Sequence, residues 1–402
     1  MVFIAERVRT IKPSPTLSLT QKAAEMKVNG QDIISLSAGE PDFETPAWVC
    51  EAANKAIQQG DTHYTNVTGT PALKKAVQAK FLQENGLEYQ LNEIIVGVGA
   101  KQIIFNAMLA SLNPGDEVII PAPYWVSYSD IVMIAEGKPV IIECHDYENF
   151  KLSPAKLARA ITPRTKWLVL NSPCNPTGIV YTAEELRALG KVLQDHSQIY
   201  ILSDDIYEHI LFNDQPFATI AAVQPALKPR VLTINGVSKA YSMTGWRIGY
   251  AAGPAELIAA MGILQSQSTS NPCSISQAAT VAALNGDQGF RKERSIAFQK
   301  RRDLLVEGLN NIPGIECLSP EGAFYVYPSC QGVIGKVTPS GQVIHSDADL
   351  AAYLLNDWGV AAVPGEAFGL SPYLRISYAV DEQTLLKACE RIKQGILKLQ
   401  NA

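Results

Sequence analysis

The sequence predicts an α/β protein in which a mainly parallel sheet lies between helices, joined to a smaller α+β domain. Three observations carry this. Between residues 90 and 253, short apolar runs alternate with segments of helix length. After residue 285 the texture changes to charged helices and isolated strands. A chain of 402 residues with 47% hydrophobic content can bury two such cores.

Taken in order, the run EIIVGVG (93–99) reads as a strand and KQIIFNAMLASL (101–112) as its helix. DEVIIPAP (116–123) opens the next unit, with WVSYSDIVMIAEG (125–137) as helix and KPVIIE (138–143) as strand. The rhythm continues through KWLVLNSP (166–173), the helix AEELRALGKVLQDH (183–196), IYILSDDIYE (199–208), RVLTING (230–236) and WRIGYAAG (246–253). Runs this apolar belong to strands covered on both faces, where functional groups gather at the strand ends. Beyond 285 come a charged helix, the strands AFYVYP, GVAAVPG and YLRISYA, and a closing amphipathic helix. The basic stretch Arg291–Arg302 reads as a solvated helix face, and the Gly-, Ser- and Pro-rich stretch 328–347 as a surface excursion. The expected division is a large domain over 46–285 and a small domain built from 1–45 and 286–402.

Net charge is −5, with no basic block, which argues against a nucleic-acid partner. Seven scattered cysteines form no CxxC pair or other metal-ligand spacing, so reduced thiols of a cytoplasmic protein and no metal are expected. The first ten residues carry charges and no long apolar core follows, so neither a secretory signal nor a membrane span is expected.

Four segments carry chemistry. Lys239 stands in NGVSKAYSMTGWRIGY among small residues, with Arg247 eight positions on. A lysine amine titrates near ~10.4, so nucleophilic use at neutral pH needs desolvation or nearby positive charge. Small neighbours admit a ring and a fixed cation suits a phosphate, a combination that suits pyridoxal phosphate. SDDIYE (203–208) closes an apolar strand. A carboxylate there can keep a pyridine nitrogen protonated, and a tyrosine three residues on can reach the ring's phenolic oxygen. Asp204 and Tyr207 take these roles; Asp205 competes, but adjacent strand residues face opposite ways. In NSPCNPTG, Asn175 precedes a proline that fixes its direction, so its amide can reach the ring oxygen and a substrate carboxylate. In GVGAKQ (97–102), Gly99 and Ala100 let an anion approach backbone N–H groups at a helix start.

Together, SPCNPTG, SDDIYE and SKAYSMTGWRIGY resemble the class I, fold-type I aminotransferases over nearly the whole chain, and their prokaryotic-type aspartate aminotransferase subgroup most closely. The resemblance implies a seven-stranded sheet, pyridoxal 5'-phosphate as cofactor, and a homodimer with shared active sites. It implies that Lys239 condenses with the cofactor aldehyde, that Asp204 holds the pyridine nitrogen, and that Tyr207 and Asn175 hold the ring oxygen. Arg247, Ser238 and the stretch Gly99, Ala100 and Lys101 would bind the cofactor at its phosphate end, Trp125 would stack on the ring, and Tyr64 would reach the phosphate of the neighbouring subunit. On the substrate side, Arg375 would grip the α-carboxylate with help from Gly39, Asn175 and Trp125, while Lys101 and Lys12 would bind the distal carboxylate. Gly236 stands where some branches carry a phosphate-binding serine, a role left here to Ser238 or the backbone.

The reaction implied is transfer of the amino group of L-aspartate to 2-oxoglutarate, with conversion of prephenate to arogenate as a further activity. Alternatives are an alanine, kynurenine or aromatic amino-acid aminotransferase of the same fold and, more remotely, a non-catalytic cofactor-binding regulator.

Overall fold

The N-terminal segment contributes the helix Pro15–Val28 and a short strand, β1 (Ile34–Ser35), before the main sheet begins. The structure, a computed structural model, describes residues 3–11, 13, 15–212 and 216–401, so Lys12 lies outside the described residues. The main sheet comprises β2 (Ile94–Gly97), β3 (Glu117–Ala122), β4 (Lys138–Glu143), β5 (Thr165–Asn171), β6 (Tyr200–Asp204), β7 (Val231–Gly236) and β8 (Gly249–Ala252). Their spatial order is β2-β8-β7-β6-β5-β3-β4. Neighbours pair in parallel except at β8, which runs antiparallel to both β2 and β7.

Burial follows the apolar runs. Every residue of β2, β7 and β8 is buried, as expected of strands covered on both faces. Alternate residues feed two cores: Ile119, Leu168 and Ile201 point to one face, Val118, Trp167 and Leu202 to the other. The second face is covered by the helices Ala100–Ser111 and Ala255–Ser268. Strand β4 lies at the edge and is nowhere fully buried, which is where Pro139 does least harm to a ladder. Between β5 and β6 the helix Ala183–Gln194 starts at a capping box: Thr182 accepts from Glu185 N, and the Glu185 carboxylate accepts from Thr182 N.

A third core gathers the helices Phe290–Asn310, Asp347–Trp358 and Glu382–Leu397 with the strands β9 (Tyr325–Val326), β10 (Val360–Ala361) and β12 (Leu374–Ser377), while β11 (Val363–Pro364) sends Val363 into the first of the two sheet cores. β11, β12 and β9 form an antiparallel sheet in that order, and β10 pairs in parallel with β1. Ile34 and Leu36 enter this core, so the N-terminal segment packs with the C-terminal third of the chain.

Three local expectations need correction. GVAAVPG is two strands serving two sheets, parted at Ala362. The stretch 328–347 is no loose excursion, because Cys330, Val333 and Ile344 are buried. The basic face of helix Phe290–Asn310 is not simply solvated: Arg302 is buried and donates to the Pro320 carbonyl, Arg291 pairs with Glu84, and Arg301 pairs with Asp42. Each guanidinium meets an acceptor from a distant segment, which local sequence does not reveal. Among the described residues no helix is long and apolar enough to cross a membrane.

Candidate active site

The parallel strands all end on the same side of the sheet, and each hands the chain to a residue singled out in the sequence. β2 leads to Gly99 and the helix Ala100–Ser111, β3 to Trp125, β5 to Asn175 and β7 to Lys239, while β6 ends at Asp204. From the third core, β12 brings Arg375 to the same place. A cavity of about 420 Å³ lies between them, lined by all of the expected residues described except Gly99, which sits just behind Arg247, and Tyr64. Tyr64 is 92% exposed.

Lys239 is partly buried, and its Nζ donates to the Gly39 carbonyl at 2.6 Å. Burial pulls its pKa down to about 8; Arg375 and Arg247 reinforce this, while Glu40 and Asp204 oppose it. The Gly39 carbonyl is therefore committed to the lysine, so any contact of Gly39 with a carboxylate falls to its N–H.

Asp204 is buried, and its Oδ2 accepts from Tyr128 Oη at 2.6 Å. Burial pushes its pKa up to about 6, although the Tyr128 hydrogen bond works the other way. Asp205 points away from the cavity, its Oδ1 accepting from Ser203 Oγ at 2.7 Å. Tyr207 Oη lies 2.9 Å from Tyr325 Oη, and burial holds the Tyr207 phenol well above its usual range.

Asn175 is held twice. Its N–H donates to Asn171 Oδ1 at 2.8 Å, and its Oδ1 accepts from Arg375 Nη1 at 3.1 Å, leaving the amide NH₂ to face other groups. Asn171 in turn donates to the Asp204 carbonyl at 2.8 Å, tying the ends of β5 and β6 together. Arg375 is buried between the rings of Tyr325 and Phe368, and its Nη2 donates to the Ser37 carbonyl at 2.5 Å. Its Nε is buried without a hydrogen-bond partner. A guanidinium that donates only to neutral acceptors, and through two of its five N–H groups, is set to receive a carboxylate.

At the other end, Gly99 adopts φ +79° at the start of helix Ala100–Ser111. A Cβ on Gly99 would lie 2.3 Å from Arg247 Nη2, and one on Gly249 would lie 2.2 Å from Ala100 N. The glycines therefore keep a helix N-terminus bare beside a guanidinium, an arrangement suited to phosphate. A side chain on Gly236 would meet Ile206 Cδ1 and the Ile248 carbonyl at 3.1 Å, so a serine there would be crowded, while Ser238 lines the cavity. Lys101 Nζ sits 4.9 Å above the Trp125 ring.

These residues fit pyridoxal phosphate: an amine of lowered pKa, a buried carboxylate for the pyridine nitrogen, ring-oxygen donors, and a bare helix start beside Arg247. Sequence reasoning missed Tyr128, Tyr325 and Asn171. Tyr128 lies one helical turn past Trp125, and Tyr325 alternates inward in AFYVYP, so periodicity held a signal for both.

Comparison with known proteins agrees with this geometry. Residues 31–392 match the family of class I and II aminotransferases, whose members work with pyridoxal 5'-phosphate. An aspartate aminotransferase of Rhizobium meliloti (strain 1021) is 59% identical over 96% of this chain and 95% of that protein. An aspartate/prephenate aminotransferase of Cereibacter sphaeroides is 55% identical over 98% of both chains. The crystal structure of aspartate aminotransferase from Rhizobium meliloti superposes with a TM-score of 0.96 at 57% identity over 100% of both chains. That of aspartate aminotransferase from Thermus thermophilus with maleate does so with a TM-score of 0.92 at 44% identity, over 98% of this chain and 100% of that one. By its sequence, its fold and the residues gathered at its strand ends, the chain belongs to the class I and II aminotransferases.

Proposed function

We propose that this aminotransferase moves the amino group of L-aspartate to 2-oxoglutarate, giving oxaloacetate and L-glutamate. The observation that carries it is a pair of cations in the cavity that holds Lys239: buried Arg375, with its unsatisfied Nε, and Lys101, set on Trp125. Two cations suit a substrate with two carboxylates. Relatives named aspartate aminotransferase, and a similar structure solved with the dicarboxylate maleate, support this reading. The name aspartate/prephenate aminotransferase on another relative makes prephenate, converted to arogenate, the second acceptor to test.

The bound cofactor supplies an aldehyde for amine exchange and a ring that draws electrons from the substrate Cα. Lys239 would hold that aldehyde, and its amine, already shifted toward neutrality by burial, is the group placed to take the proton from the substrate Cα. Asp204, oriented by Tyr128, holds the proton on the pyridine nitrogen. Tyr207 and the Asn175 amide would donate to the ring oxygen, and Trp125 would stack on the ring. Arg247, Ser238 and the N–H groups at Ala100 bind the phosphate. Arg375 grips the α-carboxylate, sharing Asn175 with the ring. Closure of the C-terminal body, which carries Arg375 and the N-terminal segment, would exclude water from the Cα–H bond.

The same reading proposes a large domain over 46–285 and a small one over 1–45 and 286–402; the core around Phe298 and Ile376 is drawn mostly from the second, with Ile206, Tyr207, Ile210 and Phe212 joining it from the first. It also proposes a cytoplasmic homodimer in which Tyr64, so exposed here, reaches the partner's phosphate. The test is kcat/KM for aspartate, glutamate, alanine and phenylalanine, with 2-oxoglutarate and prephenate as acceptors. Aspartate should lead by at least about tenfold over alanine; equal use of the two would overturn the dicarboxylate reading.

A further inference from the structure

The lysine turn has a support on the side away from substrate. Arg294, partly buried on helix Phe290–Asn310, donates Nη1 to the Ala240 carbonyl and to Ser242 Oγ, both at 3.0 Å. Its Nη2 donates to the Glu44 carbonyl at 2.5 Å. The guanidinium stacks on Phe43 at 5.1 Å and on Phe290 at 4.7 Å. Two chain segments are thus held by one planar fork: the turn that begins at Lys239 and the run that descends from Gly39. They are the segments joined on the other side by the hydrogen bond from Lys239 Nζ to the Gly39 carbonyl.

Lys239, Ala240, Arg294 and Phe43 line one small hollow, together with His209, Ile210 and Phe298. The turn needs holding: Ser242 adopts φ +54°, a left-handed conformation that costs a non-glycine residue roughly 1 kcal/mol or more. Thr45 adds a second stitch, donating to the Ser242 carbonyl at 2.8 Å and accepting from Trp246 Nε1 at 3.1 Å. Arg301, two turns further along the helix, makes a useful contrast. It stacks on the same Phe43 and pairs with Asp42 at 2.7 Å, but its hydrogen bond goes to Asp42 and not to the lysine turn.

We propose that Arg294 is a positioning residue for Lys239: by clamping the 240–242 turn to the Phe43–Glu44 run, it keeps the lysine amine dry and aimed at the reacting carbon. The proposal rests on Lys239 being the reacting amine. A lysine cannot replace the fork, since one ammonium cannot span two carbonyls and a hydroxyl in one plane. With the clamp gone, the turn and the Gly39 run separate, water reaches Nζ, and the amine reverts toward an ordinary lysine pKa.

The test compares Arg294→Lys, Arg294→Gln and Arg301→Gln with the parent. In the cofactor-free full chain, competitive labelling with acetic anhydride, read on the Lys239 peptide by mass spectrometry, gives the pH midpoint of that amine. Both Arg294 variants should raise the midpoint by about one unit or more, and Arg301→Gln should leave it within a few tenths. In the loaded enzyme, both Arg294 variants should lose about tenfold or more in kcat with KM for aspartate changed less than threefold. Folding is checked by circular dichroism, and Thr45→Val provides a milder variant expected to shift the midpoint in the same direction. An unchanged midpoint in folded Arg294→Gln, or an equal shift in Arg301→Gln, overturns the proposal. The labelling arm does not need turnover, so absence of aminotransferase activity in the parent would overturn the functional reading separately.

Discussion

Two groups of charges, one reaching the surface at Glu84 and one enclosed around Asp204 and Arg375, lie within a few residues of each other, and they are built on opposite plans. Behind Tyr207, Lys80 pairs with Glu208 and Glu84, His209 lies 2.9 Å from Glu84 and 3.0 Å from Glu208, and Arg291 closes on Glu84 at 2.6 Å. Here every charge is answered by another. Despite the cost of burial, His209, Arg291 and Lys80 hold the Glu84 carboxyl well below its usual range. In front of Tyr207, Lys239, Asp204 and Arg375 make their hydrogen bonds to a carbonyl, a phenol, an amide and another carbonyl. The first group answers its charges within the chain, although Arg291 Nε, like Arg375 Nε, has no hydrogen-bond partner, and it ties the helix Pro71–Asn85 to the start of helix Phe290–Asn310. The second leaves its charges for molecules that come and go, and its pKa values are displaced accordingly.

Substitutions in each group should separate these plans. The largest effect is expected from Lys239→Ala, which removes nucleophile and base together. Transamination should fall by at least ~10³–10⁴-fold, with loss of the visible absorbance of the lysine-bound cofactor and little change in Tm of the cofactor-free chain. A loss smaller than tenfold would mean that another group moves the proton. Arg375→Lys keeps the charge but loses the fork, so kcat/KM for aspartate should drop about 10²-fold or more. The same change should leave cofactor affinity, measured by fluorescence titration, nearly intact.

Glu208→Gln attacks the closed group. Breaking one member of a buried ion pair costs roughly 3–5 kcal/mol, so Tm should fall by several degrees while kcat per folded molecule stays within about threefold. A large fall in kcat at unchanged Tm would erase the distinction between the groups.

The smallest effect is a pH slope. Burial pushes the Asp205 carboxyl up to about 7, so the folded chain binds its proton more tightly than the unfolded chain, whose carboxyl titrates near 3.8. Stability from this group is complete below the unfolded value and is lost as pH rises through about 7. Asp205→Asn should therefore flatten the decline in Tm of the cofactor-free chain between pH 4 and pH 7. An unaltered slope would show that other groups set it.

Much of the site was legible because its residues sit immediately after apolar strands, where a parallel sheet presents them to one side. Lys239, Asp204 and Asn175 each follow such a run within a few positions. What could not be read was the support. Tyr128 and Asp204 are 76 positions apart in the chain, and Arg375 and Ser37 are 338 apart. Nothing local in either sequence segment announces the other. The basic helix was misread for the same reason: charge on a helix looks solvated until the distant carboxylates and carbonyls that meet it are in view.

The split at Ala362 has a consequence for how the chain can vary. β10 is registered against β1 and β11 against β12, with a single residue between them. Because strand side chains alternate faces, one inserted or deleted residue would turn one of the two strands inside out. It would either pull the N-terminal segment off its partner or displace the strand beside Arg375. Over 360–364, then, divergence is free to exchange one side chain for another but not to change the count, and aligned relatives should show substitutions there without gaps.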